Sequence, residues 1–173
     1  MFSFHAATAF YLTALTVSAF AQHGAMPRGM SHEDHLKMLS RDAEMKQRGN
    51  VAMGFDQDKT THHFRLTPTG GVIDVAVNET ADAASRNQVR EHLRAVSKEF
   101  GAGIFTSPVA THAEVPPGVP VMRERKARIT YIYEETPGGA QVVMNAKDKS
   151  ARAALHDFLR YQIREHKTGD PEK

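Results

Sequence analysis

Histidine and methionine are the residue types of this chain that suit metal chemistry. The 173 residues include ten His and eight Met but no Cys. Neutral imidazole binds zinc, copper, nickel and iron, and the thioether of Met favours copper. The lack of Cys excludes disulfides, thiolate metal sites and a cysteine nucleophile. The chemistry available to the sequence therefore depends on where its histidines come together.

One group of histidines belongs to the C-terminal strands and helices. We expect His62, His92 and His156 to face the interior together, with His112 and His63 as further candidate ligands. Because successive strand residues point to opposite faces, His62 is predicted to face the helices and His63 the solvent. No H-x-x-x-H or H-E-x-x-H spacing is present, so the hypothesis of a copper or zinc site depends on placement alone. The alternative for each histidine is a packing role with one hydrogen bond.

A second, looser group of candidate ligands precedes the main domain. It consists of His23, Met26, Met30, His32, His35 and Met38. Thioether and imidazole together suit copper better than zinc. His32 and His35 are neighbours on one face of a predicted helix, and Met38 continues that face. The alternative is a flexible arm whose His and Met residues have no specific role.

The elements that must position these residues form a ββα unit that occurs twice. The first unit comprises strands 62–67 and 72–77 around the turn TPTGG, followed by helix 82–100; the second comprises strands 125–135 and 140–145 around TPGG, followed by helix 148–166. Two matched hairpins, each followed by a helix, predict an α+β fold with a four-stranded antiparallel sheet and both helices on one face.

The positions of single histidines follow from aligning the two units. The alignment places His92 and His156 at comparable depths on their helices, whereas His166 falls at a fraying helix end and is not among the predicted ligands. The joining loop 101–120 holds four prolines and His112, and it is predicted to be extended and stiff. A helix is also predicted to begin after the N-cap Ser31 and to end at Arg48, docked weakly or mobile.

The N-terminus has the pattern of an export signal. Residues 1–21 contain no Lys, Arg, Asp or Glu, and their apolar run is shorter than the roughly 20 residues a membrane-spanning helix needs. The run ends in Ala-Phe-Ala, so we expect cleavage after Ala21, a periplasmic or secreted location and no stable membrane span afterwards. The division that follows is a signal peptide (1–21), a His/Met-rich arm and helix (22–59), the duplicated ββα domain (60–168) and a disordered tail (169–173).

Charge and motifs exclude several classes of function. A formal net charge of +2 gives no argument for nucleic-acid binding. The nucleophile-elbow, Walker A and dinucleotide-binding motifs are missing from the sequence.

Three stretches of sequence resemble a family of small, uncharacterised, exported bacterial proteins. They are MGFDQ with TTHHF at 53–64, PPGVPVM at 116–122 and HDFLRYQIREHKTGD at 156–170, and the likeness covers about residues 31–170. The resemblance implies a shared fold and export, and it contributes no catalytic residue. Members are sometimes labelled aspartate carbamoyltransferase, but this sequence lacks the Ser-Thr-Arg-Thr type motif with which that enzyme class binds carbamoyl phosphate.

Three functions remain open at this point. The favoured one is an exported module that binds a transition metal, with copper preferred. The second is a protein-interaction or homodimerisation module that uses an open sheet face carrying His63, Arg65, Asp74, Arg128 and Thr130. The third, a small metal-dependent hydrolase or oxidase, lacks a general base that spacing can identify.

Overall fold

A computed structural model describes residues 27–173, so the predicted signal peptide and the candidate ligands His23 and Met26 lie outside the described residues. The helices are α1 (His32–Met53), α2 (Ala83–Ala102), α3 (Thr106–His112), α4 (Val119–Glu124) and α5 (Lys149–Glu165). The strands are β1 (Thr60–Thr67), β2 (Gly70–Val77), β3 (Ile129–Glu135) and β4 (Gly139–Ala146). No helix among residues 27–173 combines the length and apolarity that crossing a bilayer requires.

The four strands form one antiparallel sheet in the order β1-β2-β4-β3. This arrangement confirms the predicted α+β fold, because two hairpins lie side by side and α2 and α5 follow them. The hairpins meet where Ile73 of β2 pairs with Val142 of β4. These two residues hold the same place in their repeats, so a pseudo-twofold axis passes between them. Each long helix packs mainly on the hairpin of the other repeat.

The core lies between the sheet and the two long helices. Val75 and Met144 alternate along their strands with half-buried residues and are themselves almost fully buried. Two glycines let the central strands approach closely, since a Cβ at Gly70 would collide with the carbonyl oxygen of Met144 and one at Gly139 with that of Val75. The two collisions are equivalent under the pseudo-twofold axis. Both repeats therefore have a glycine at the first position of the central strand for the same reason.

The two long helices begin with the same cap. Asp82 accepts a hydrogen bond from the Ser85 backbone N–H at 2.9 Å, and Asp148 accepts one from Ala151 at 2.8 Å. Counting from these caps pairs His92 with Phe158 in the other repeat. The pairing of His92 with His156 is therefore displaced by two residues, although the predicted helix starts at 82 and 148 agree with the observed caps.

The joining loop differs from the extended segment that its prolines predicted. It contains α3 and α4, with Pro108 and Pro120 in their first turns. A proline is tolerated in the first turn because the N–H that it lacks has no partner within the helix. The high proline content therefore marks helix starts here instead of an extended chain.

Helix α1 is longer than predicted. It passes through Gly49, which is buried, and ends at Met53 before the left-handed Gly54. It packs against α3, where the Arg48 Nε donates to the Thr111 carbonyl at 3.1 Å. Ion pairs from Arg41 to Glu165 and from Lys167 to Asp42 also join α1 to the end of α5 and the residues after it.

The C-terminal residues after α5 also make contacts. Both carboxylate oxygens of Asp170 are used on β1: the backbone N–H of Phe64 donates to one, and His63 Nδ1 lies 2.9 Å from the other. Glu172 pairs with Arg164 at 2.7 Å. Segment 169–173, predicted to be a disordered tail, thus contacts β1 through Asp170 and α5 through Glu172.

Candidate functional site

Four histidines line a small cavity at the end of the molecule where α1, α3 and the end of α5 meet the sheet. The cavity has a volume of about 50 Å³. His62 comes from β1, His92 from α2, His112 from the end of α3 and His166 from the position after α5. Apolar side chains of the core form most of the remaining wall, together with Met53, Ser107, Thr111 and Gln162.

The structure brings three of the predicted ligands together and places two elsewhere. His62, His92 and His112 line the cavity, whereas His63 and His156 do not. His63 lies on the opposite face of β1, where its Nδ1 contacts Asp170. This position agrees with the alternation expected along a strand.

His156 anchors a turn and does not contribute to the cavity. Its Nε2 donates to the Thr67 carbonyl at 3.0 Å, at the turn between β1 and β2. In the other repeat Arg90 donates to the Thr136 carbonyl at 2.9 Å. The two interactions are equivalent under the pseudo-twofold axis. The expectation that His156 faces His62 and His92 is therefore not met, because the sequence alignment of the helices was displaced.

His166 is a cavity residue that was not among the predicted ligands. It continues the stripe of buried α5 residues that runs through Leu155, Leu159 and Gln162 at helical spacing. Its counterpart in the other repeat is Phe100, a core residue of α2. The inward position of His166 could therefore have been predicted from the sequence, because it is the next position on the apolar face of an amphipathic helix.

The rings of the site form a continuous row. The His166 ring centroid lies 5.2 Å from that of His112 and 5.6 Å from that of His62. Phe55 connects the row to the fourth histidine, with centroid distances of 5.8 Å to His62 and 5.6 Å to His92. Each imidazole therefore packs against at least one other ring of the row.

Burial keeps the four imidazoles neutral near pH 7. Desolvation is the largest cause in each case: it lowers the pKa of His62 to about 4, with help from the nearby His92 and His63. The pKa of His92 is also lowered to about 4, and that of His166 to about 3. Burial likewise lowers the pKa of His112. Among the described residues, no Asp, Glu, Lys or Arg lines the cavity, so its side chains carry no net charge.

Three buried polar atoms of the cavity residues have no hydrogen-bond partner among the described residues. They are Nε2 of His62, Nδ1 of His112 and Nε2 of Gln162. His112 Nε2 lies 3.1 Å from Gln162 Oε1 and must donate to it, so in the neutral ring Nδ1 carries the free lone pair. An unpartnered buried polar atom costs roughly 1–3 kcal/mol, and such atoms mark places where an ordered water or a bound ligand is expected.

The side chains are not arranged as a finished coordination sphere. Within residues 27–173, no three His, Asp or Glu side chains already converge as a metal site would require. Zinc or copper bound by imidazole needs nitrogen atoms at about 2.0–2.1 Å from the ion. Metal binding at the cavity would therefore require the imidazole rings to turn about their side-chain bonds.

A polar cleft opens beside the cavity and shares two of its histidines. His62 and His166 line both spaces. The cleft also contains Asp42, Asp58 and Glu165, and each of these carboxylates is paired with a Lys or Arg. The two imidazoles thus separate the inner cavity from a solvent-facing cleft with little net charge.

The described residues of the predicted N-terminal metal arm do not join the cavity. His32 is exposed at the start of α1, and Met30 and Met38 are half-buried. His35 is buried, with its Nδ1 lacking a partner among residues 27–173. The four residues do not line the cavity, so a role for them in metal binding remains a separate proposal.

The sheet face opposite α2 and α5 carries charged residues that pair with one another. Both terminal nitrogens of Arg65 donate to Asp74 at 3.1 Å. The exposed Ile132 on β3 adds one large apolar side chain to this face. The ion pair between Arg65 and Asp74 compensates two charges of this face, and its use as an interaction surface stays a prediction.

Comparison of the chain with protein-family models, with curated proteins and with solved structures found no match.

Proposed function

We propose that the protein binds a transition-metal ion, with copper favoured over zinc, and that His62, His92, His112 and His166 are its ligands. The observation that carries the proposal is the presence of four neutral imidazoles around one small cavity. Neutral imidazole is the form that binds metals. Two of the unpartnered buried atoms are imidazole nitrogens, which an ion would provide with a partner.

The charge of the cavity favours copper, and Cu(I) in particular. The desolvation cost of an ion rises steeply with its charge, and no carboxylate of the described residues lines the cavity to offset it. A monovalent ion is therefore easier to accommodate than a divalent one. Met53 also lines the cavity, and its thioether is a soft ligand that suits Cu(I).

Titration of the purified chain with Cu(I) and with Zn(II), each in competition with a chromophoric chelator, tests the proposal. We expect one high-affinity ion per chain and tighter binding of Cu(I). The pseudo-symmetry supplies ligand variants whose rings already fit the fold: His92→Phe, matched to Phe158, and His166→Phe, matched to Phe100. Each should weaken metal binding at least about tenfold.

His156→Phe is the matched control, because His156 lies on the same helix as the cavity residue Gln162 but bonds to a turn. Its metal affinity should stay within about threefold of the wild type. Absence of bound metal in the wild-type protein, or an equal loss in the His156 variant and the cavity variants, would show that the four histidines do not form the site.

The interaction module is the second candidate function. The exposed Thr130 and Ile132 of the sheet face support it, but the ion pair between Arg65 and Asp74 leaves less unpaired charge for a partner. Sedimentation of the purified chain distinguishes the two candidates, because a dimerisation module should associate without metal.

A further inference from the structure

The amide of Gln162 points to a second component of the site. Gln162 is 4% exposed and lines the cavity. Its oxygen accepts the hydrogen bond from His112, while its nitrogen has no partner among the described residues. We propose that the bound metal ion carries a small exogenous ligand, hydroxide or another small anion, that accepts a hydrogen bond from Gln162 Nε2. This inference rests on the proposed function.

The chemistry of an amide nitrogen excludes direct coordination. The Gln162 NH₂ group carries two hydrogens and donates hydrogen bonds, so it is not itself a metal ligand. A cation close to these hydrogens would be repelled by them. A group that accepts a hydrogen bond and binds the metal at the same time satisfies both the buried amide and the ion.

The dimensions of the cavity agree with an ion and one small ligand. A cavity needs roughly 10–15 Å³ to hold one water molecule. The volume of about 50 Å³ therefore has room for an ion and a ligand of a few atoms, but not for a large organic substrate. A site with an open position for such a ligand differs from a closed structural site, in which protein atoms fill every position.

The charge of the cavity gives the ligand a further role. With neutral protein ligands, Cu(II) and one bound anion carry the same net charge as Cu(I) alone. The anion thus lets the cavity hold the divalent ion at a cost similar to that of the monovalent one. We infer that the exogenous ligand binds mainly to the Cu(II) form.

Azide titration of the Cu(II)-loaded full-length protein tests this inference. Azide is a small anion that produces a charge-transfer absorption band when it binds Cu(II), and the metal-loaded wild type should show a saturable band. Gln162→Glu retains an oxygen acceptor for His112 but removes the donor and adds negative charge, so azide affinity should fall at least tenfold. Gln162→Leu provides a second variant without a buried charge, and we expect about a fivefold loss.

Gln141→Leu serves as the control, because Gln141 lies on β4 and its amide donates to Glu134 away from the cavity. Its azide affinity should equal that of the wild type. A wild type that binds Cu(II) but shows no azide band would overturn the inference, as would unchanged azide affinity in both Gln162 variants. A wild type that binds no metal would instead refute the proposed function, so the two failures are distinguishable.

Discussion

Single residues of the two repeats can be compared directly, since each cavity histidine except His112 has a counterpart. His62 corresponds to Tyr131, which pairs with the strand residue Met144 as His62 pairs with Val75. His92 and His166 correspond to Phe158 and Phe100, as the helix caps show. Aromatic rings without ring nitrogens therefore fill the same places in the other repeat. Packing alone does not require imidazole at these positions, which favours a chemical role for the histidines.

This correspondence predicts the effect of His166→Phe on metal-free protein. At pH 8 the variant should be about as stable as the wild type, because Phe100 shows that the fold accepts a phenyl ring there. At pH 5 the variant should be more stable, by about 2 kcal/mol. The wild type is penalised at this pH because burial holds the folded pKa of His166 at about 3 while the unfolded chain takes up the proton.

Urea unfolding of both proteins at the two pH values measures the difference. His32→Gln, at an exposed position on α1, is the control. It should change the free energy of unfolding by the same amount at pH 5 as at pH 8. An identical stability difference at pH 5 and pH 8 for His166→Phe would contradict the assignment of His166 as a buried neutral group.

Among the helices and strands, prediction from the sequence succeeded where the local pattern was regular. The alternating strands, the two TP turns and the Asp-capped helices gave the four-stranded sheet correctly. The pairing of His92 with His156 was displaced because His92 lies ten residues after its cap Asp82 and His156 only eight residues after Asp148. Helix α3, which carries His112, was missed because proline in a short segment favours an extended chain as readily as a helix start.

Helix α4 depends on a close approach that only glycine permits. Gly118 precedes α4 with φ +83°, and a Cβ there would collide with the carbonyl oxygen of Ala154 on α5. We expect Gly118→Ala to destabilise the protein by about 3 kcal/mol, from the left-handed backbone and the collision together. Thermal or urea unfolding at pH 7 measures the loss.

Gly54→Ala is the matched control for this glycine. Gly54 has a similar φ of +76°, but a methyl group added there would have nothing within 4 Å among the described residues. Gly54→Ala should therefore lose only the stability that the left-handed backbone conformation costs an alanine, about 1 kcal/mol. Equal losses at the two positions would show that α4 and α5 pack together loosely enough to admit a methyl group.

For the molecule as a whole, the cavity sits where the pseudo-symmetry ends. The sheet and the two long helices repeat, whereas α1, α3 and the residues after α5 close one end without a counterpart. His112 belongs to α3, and His166 follows α5 at the position that Phe100 holds in α2. The sequence indicated a cluster of histidines, but α3, which supplies His112, has no periodic match among residues 27–173. This asymmetric closure explains why His112 could not be placed from the pattern of the repeats, whereas His166 had a match in Phe100.

The four cavity histidines also set how the stability of the metal-free protein depends on pH. Their folded pKa values lie below the unfolded value of 6.5, down to about 4 for His62 and His92 and about 3 for His166. At pH values between the folded and the unfolded pKa, the unfolded chain binds more protons than the folded one. The free energy of unfolding therefore falls as the pH falls. The stability should be nearly constant above about pH 7.5 and should decrease from about pH 6.5 downwards.

Each histidine with a lowered pKa contributes a slope of up to about 1.4 kcal/mol per pH unit in this range. Together the histidines should therefore lower the free energy of unfolding by several kcal/mol between pH 7 and pH 5. Urea unfolding at closely spaced pH values measures this loss. The pKa of carboxylates such as Asp148 is lowered, in this case by the hydrogen bond from the Ala151 backbone N–H. Such carboxylates therefore change the stability only below about pH 5. The triple variant His62→Tyr, His92→Phe and His166→Phe should flatten most of the dependence. A wild-type profile that is flat from pH 7.5 to pH 5 would mean that the cavity is hydrated enough to hold charged imidazoles. The lack of charged side chains in the cavity would then no longer favour Cu(I) over a divalent ion.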